Sequence, residues 1–131
     1  MATGRKSVIP DQLKQTVTQR ANQLVETKFT PAVAANTEGA EKHGFNYVVD
    51  VYTAWHGRYF YFCAKYRNPR ADAEEDEFFE VRATRMEYLY PDGFNLSYMH
   101  HTGKWCEVFQ DLDLDECLET VEGNELFWPL N

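Results

Sequence analysis

Between Val8 and Phe29 apolar side chains recur every three or four residues. Leu13, Val17, Ala21, Leu24 and Lys28 fall on one stripe with Val25 and Phe29 beside it, and this spacing predicts an amphipathic helix over 8–29. Pro10 suits the first turn, where an N–H would have no helical partner. The following stretch, TPAVAANTEGAEKHG (30–44), mixes small, polar and glycine residues and reads as a loop or a frayed continuation.

From Phe45 the period changes to two, which is the alternation of a strand. Taking His56-Gly57 as a two-residue turn pairs Trp55 with Arg58, Thr53 with Phe60, Val51 with Phe62, Val49 with Ala64 and Tyr47 with Tyr66, all on one face. The opposite face collects Asp50 and Tyr52 from the first strand, and Tyr59, Tyr61, Cys63, Lys65 and Arg67 from the second. It is the more polar of the two, so the first face is expected to meet the core.

RNPRADAEED (67–76) is charged, contains proline and is long for a hairpin loop. After it, EFFEVRATRMEYLY (77–90) alternates through Phe79, Val81 and Ala83, and then its apolar set moves to Met86, Tyr88 and Tyr90. That change of phase predicts a bulge or bend near Thr84 to Arg85 within aromatic-rich strand sequence. PDG (91–93) is turn chemistry. FNLSYMHH and KWCEVFQ follow, joined at Thr102-Gly103, and in DLDLDECLETVEG the pair Asp113 and Glu116 forms a capping signature ahead of the stripe Leu114, Cys117, Leu118 and Val121, with Gly123 as stop. Helix, five strands with short turns, short helix: the economical arrangement is an α+β domain, a mainly antiparallel five-stranded meander with both helices on the same face. Residues 1–131 are read as one domain, with 1–7 expected to be disordered.

Composition narrows the class. Aromatic residues are 15% of the chain, enough to fill a core without disulfide or metal support. The net charge of -8, concentrated in AEEDEFFE (73–80) and DLDLDECLETVEGNE (111–125), repels phosphate backbones and anionic membrane surfaces, so neither nucleic acid nor membrane is an expected partner. Arg67, Arg70, Arg82 and Arg85 are the candidate basic stripe, largely neutralised by the neighbouring acids. Cysteines at 63, 106 and 117 form no CxxC pair and suggest reduced thiols in a cytoplasm. The opening MATGRKSVIPDQ has a basic pair without an apolar run behind it, so neither a signal peptide nor a membrane span is expected.

Four places invite chemistry. In YMHHTGKWCEVF (98–109) a Thr102-Gly103 turn pairs His101 with Lys104, His100 with Trp105, Met99 with Cys106 and Tyr98 with Glu107. Adjacent strand residues face opposite ways, so His100 and His101 are expected to point apart, which leaves too few ligands for zinc and predicts no metal. Tyr98, His100, Trp105 and Glu107 then form a candidate pocket. The acids 111, 113, 115 and 122 match the spacing of a calcium loop, but Glu116 stands where glycine is needed, and the capped helix explains them better. Cys63 falls near Asp50 with no histidine base, so no nucleophile is assigned and no catalytic residue named. Tyr52, Tyr59, Tyr61 and Lys65 form a candidate interface of amphipathic anchors with a polar rim.

Residues 79–128 resemble a small bacterial family of domains of unknown function. The resemblance rests on VRATRMEYLYPDGFNLSYMHHTGKWCEVF, on LDECLETV and on the closing Phe127-Trp128. It implies a single domain, no assigned reaction and architectural roles for Trp105 and Trp128. The functional expectation is a small cytoplasmic binding domain acting on a protein partner or its own copy, without cofactor. The alternative is a small enzyme or ligand binder with a cavity between the N-terminal helix and a bent sheet.

Overall fold

The first helical turn begins at Pro10 in the computed structural model, which describes residues 8–43, 46–69 and 77–128, with 38–43 as backbone only. Helix α1 (Asp11–Leu24) runs through a π turn (Val25–Phe29) into α2 (Thr30–His43). The stretch after Phe29 is therefore helix rather than loop. Pro31, which has no N–H to give and crowds the carbonyl four residues back, stands just after the widened turn. The extra residue in that turn rotates the buried stripe from Val17, Ala21 and Leu24 onto Val25, Phe29 and Val33. Lys28, expected on the stripe, is exposed and reaches Glu122 at 3.5 Å.

Strands β1 (Tyr47–His56), β2 (Tyr59–Asn68), β3 (Glu77–Leu89), β4 (Gly93–Met99) and β5 (Trp105–Leu112) form one antiparallel sheet in sequential order. The α+β meander with helices on one face is thus the observed architecture. The first turn falls at Gly57-Arg58, with positive φ at Gly57, so Thr53 meets Phe62 and Val51 meets Ala64. From Asp50 to Trp55 each β1 residue is displaced by two positions along β2 relative to the expected pairing; beyond a bulge at Val49 the displacement is one, so Tyr47 meets Arg67 rather than Tyr66 and Val48 joins the core. A displacement of two keeps the side chains from Asp50 to Trp55 on their predicted faces, and the displacement of one reverses Tyr47 and Val48.

β3 is one strand with a bulge at Ala83, because Phe62 pairs with Thr84 while the next β2 residue, Cys63, pairs with Arg82. The change of phase read near Thr84 to Arg85 is this bulge. The Tyr90-Pro91 peptide in the next turn is cis. The disorder expected for 1–7 and the 70–76 part of the expected loop lie outside the described residues.

Helix α3 (Leu114–Gly123) starts with the anticipated capping box. Asp113 Oδ1 accepts from the Glu116 N–H at 2.8 Å, and Glu116 Oε1 accepts from the Asp113 N–H at 3.0 Å. Cys117, Leu118 and Val121 are buried, and a short 3-10 turn (Glu125–Phe127) follows. Between helices and sheet lie Phe29, Phe60, Phe62, Met86, Phe94, Leu96 and Phe127, all fully buried. Full burial contributes roughly 1.5–3 kcal/mol for each large apolar side chain. Polar ties fix the layers: Trp55 Nε1 donates to Thr18 Oγ1 at 3.0 Å, and Thr84, itself buried, donates to the Phe127 carbonyl at 2.5 Å.

Candidate functional site

Helices α1, α2 and α3 lie on one side, and among the described residues the other face of the sheet has no covering layer. Alternation from the first hairpin sends Tyr52, Tyr59, Tyr61, Cys63 and Lys65 to this open face. All four residues of the candidate interface are therefore on one surface. Two arginines join them for a reason alternation alone does not supply. Arg82 and Arg85 are three apart and would face opposite ways in a regular strand, but the bulge at Ala83 absorbs one residue and turns both to the open face, opposite Cys63 and Tyr61.

The arginines lie over the rings. The Arg82 guanidinium carbon is 4.4 Å from the Tyr61 ring centroid, and that of Arg85 is 4.8 Å from Tyr59 and 4.7 Å from Trp105. Tyr61 and Trp105 have centroids 5.8 Å apart, and Tyr59 and Tyr61 6.2 Å, so the rings run across β2 to β5 without interruption. This lamination covers Tyr61 to 5% exposure without any second layer of backbone. Lys65 is placed over Phe78 at 4.9 Å.

Trp105 is on this face, not in the core, and Glu107 is here as well. The β4–β5 loop spans three residues: the Gly103 N–H donates to the His100 carbonyl and the His100 N–H to the Lys104 carbonyl, each at 2.9 Å, with Gly103 at positive φ. This is a turn followed by a bulge rather than the expected two-residue turn. Met99 consequently meets Trp105, Tyr98 meets Cys106 and Ser97 meets Glu107. A displacement of one reverses the faces of β5. The register shifts again between Glu107 and Phe109, and the extra residue, Val108, returns Phe109 to the core side opposite Leu96.

The candidate pocket of Tyr98, His100, Trp105 and Glu107 therefore does not form. Tyr98 faces the core, 5.9 Å from the Phe127 ring, and its pairing with the Cys106 thiol raises its phenol above the ordinary value. Glu107 accepts from Gln110 Nε2 at 2.8 Å. The histidines do not point apart: both follow the end of β4 at Met99, His100 closing the loop and His101 opening it, and their rings lie 4.0 Å apart. His100 Nδ1 is 2.9 Å from Thr102 Oγ1. The pair borders a cavity of about 370 Å³ whose walls include Tyr66, Val81, Met99 and Trp128. Trp128 also packs on Phe29 and donates from Nε1 to the Glu122 carbonyl at 2.7 Å.

Cys63 pairs with Tyr52 rather than lying by Asp50, which meets Lys65. Burial pushes the Cys63 thiol up, with Tyr52 and Arg82 opposing, and burial and then Glu80 raise the Tyr52 phenol. The acids of the calcium-like spacing go to separate partners: Asp113 to the cap, Asp115 to Arg20 at 2.5 Å and Glu122 to Lys28. Among the described residues no three His, Cys, Asp or Glu side chains gather around one point, and no helix is long and apolar enough to cross a membrane.

Over residues 9–129 the chain matches the family described as Domain of unknown function (DUF3024). This chain belongs to that family. No curated protein and no solved structure matches it. The family description assigns no reaction, so the function of this DUF3024 domain is argued from its own surfaces. Among the open-face residues, sequence reasoning missed the placement of Trp105, Glu107, Arg82 and Arg85. The signal for the two arginines was present, since the apolar set of β3 changes phase between them.

Proposed function

We propose that this domain works by binding, through the open face of its sheet, to a protein partner or to a second copy of the chain in the cytoplasm. The observation that carries the reading is the laminated patch of Tyr59, Tyr61 and Trp105 under Arg82 and Arg85 on a face that none of the three helices covers. Tyr, Trp and Arg are the residues that dominate binding energy at protein interfaces, because each offers a large rigid area with polar groups at its edge. The fully buried rings of Phe29, Phe60, Phe62 and Phe94 occupy the centre of the space between helices and sheet and favour this reading over a ligand cavity at that centre. The thiol chemistry agrees with it, since Cys63 is buried with its pKa raised and a nucleophilic thiol needs the opposite.

The test is cross-linking mass spectrometry on the full chain, alone over a concentration series and after capture of partners, using Lys65 as the reactive site on the open face. Cross-links from Lys65 to a partner or a second copy are expected, and Arg85→Glu should abolish them while Arg20→Glu, on the helix side, leaves them. Cross-links confined to the helix side, or unaffected by Arg85→Glu, would overturn the proposal.

A further inference from the structure

Resting on the open face as the binding surface, we infer that Arg82 and Arg85 are a carboxylate-recognising pair, and that the ligand is an acidic peptide segment. The acidic side chains of β3 and β5 on this face have neighbours of their own. Glu87 is paired with Arg58, Glu107 accepts from Gln110, and Glu80 stands beside Tyr52. None of the ion pairs among the described residues includes Arg82 or Arg85. Their partners are rings, which hold each guanidinium by charge and stacking but accept none of its N–H bonds in the way an oxygen does. Arg85 Nε is buried without a hydrogen-bond partner, so this side chain carries unmet donor capacity.

Geometry sets the ligand class. A guanidinium fixed against an aromatic ring has lost most of its rotamer freedom, and its planar fork matches the two oxygens of a carboxylate. Two such forks on one rigid sheet suit acidic side chains presented along a peptide, at little further ordering cost. A single-stranded nucleic acid shares the anionic chemistry but is disfavoured on two counts. Bases need open ring faces to stack on, and those of Tyr59, Tyr61 and Trp105 already meet guanidiniums. The net charge of -8 also repels an extended polyanion more than a short acidic segment.

Fluorescence polarisation of a fluorescein-labelled hexaglutamate peptide, titrated with the full chain at low salt, tests this directly. Saturable binding is expected, weakened at least tenfold by the double variant Arg82→Gln with Arg85→Gln and unchanged by Arg20→Gln. The double variant Arg82→Lys with Arg85→Lys, which keeps charge and most of the packing, should also lose affinity because the fork is gone. Absent binding, equal binding by the glutamine variant, or tighter binding of a labelled hexathymidylate by the native chain would overturn the acidic-peptide assignment. If the peptide fails while Lys65 cross-links persist, the ligand class falls and the open face stands. If both fail, the face itself falls.

Discussion

Phe62 and Tyr61 are neighbours on one strand and are almost equally inaccessible to water, at 0% and 5% exposure, yet what covers them differs. Phe62 lies beneath the helices, its ring 6.2 Å from Phe29 and 5.7 Å from Phe60, among side chains that have no other place to go. Tyr61 lies beneath Arg82 and between the rings of Tyr59 and Trp105, and its cover is a set of side chains bordering solvent. The same burial thus arises from a packed layer on one side and a laminate on the other. A packed layer resists removal of any member, because its neighbours cannot collapse into the gap; a laminate loses only the contacts of the side chain removed, because solvent fills the space.

The contrast predicts unequal costs. Phe62→Ala should lower stability by about 3–5 kcal/mol in urea unfolding, the range for removing a large ring from a core that relaxes only partly. A cost near that of an exposed site would mean that the helix side is not the packed one. A second test uses a group on the helix side. Burial, and then Asp113 and Glu116, push the Cys117 thiol up to about 12 from an ordinary value of 9.0. Its folded pKa is the higher, so its contribution is fully present below pH 9 and is lost as pH rises toward about 12. The slope for one such group is at most about 1.4 kcal/mol per pH unit. Cys117→Ala should flatten the fall in stability above pH 9 relative to the native chain, and an unchanged alkaline limb would show that the thiol is not held neutral by the fold. Smallest of all, Arg85→Ala should cost about 0.5–1 kcal/mol, the range of a partly exposed cation–π contact. A loss approaching that of Phe62→Ala would erase the distinction between the two faces.

Reading faces from sequence succeeded at one hairpin and failed at the other, and the difference is parity. At β1–β2 the turn lies one residue later than the spacing predicts, which displaces the pairing by two and keeps Tyr52, Tyr59, Tyr61 and Lys65 on their predicted face; only beyond the bulge at Val49 do Tyr47 and Val48 change faces. At β4–β5 the loop has three residues rather than two, which displaces the pairing by one and carries Trp105 and Glu107 to the far face. A strand has only two faces, so an odd error is total and an even error costs nothing. Bulges act with the same parity. Ala83 brings Arg82 and Arg85 together, and Val108 separates Glu107 from Phe109 by face.

Local chemistry by itself determined the N-terminal helix, the succession of strand segments along the chain and the capping box at Asp113 and Glu116, since each depends on side chains within a few residues of one another, whereas the order of the strands in the sheet came from the fold. Three further outcomes belong to the tertiary structure alone: the π turn that exposes Lys28, the loop length that turns Trp105 outward, and the meeting of two arginines of β3 with two rings of β2 and one of β5. Each is a choice between registers whose local energies are similar, and what separates them is which side chains the whole sheet and the helices can bury together.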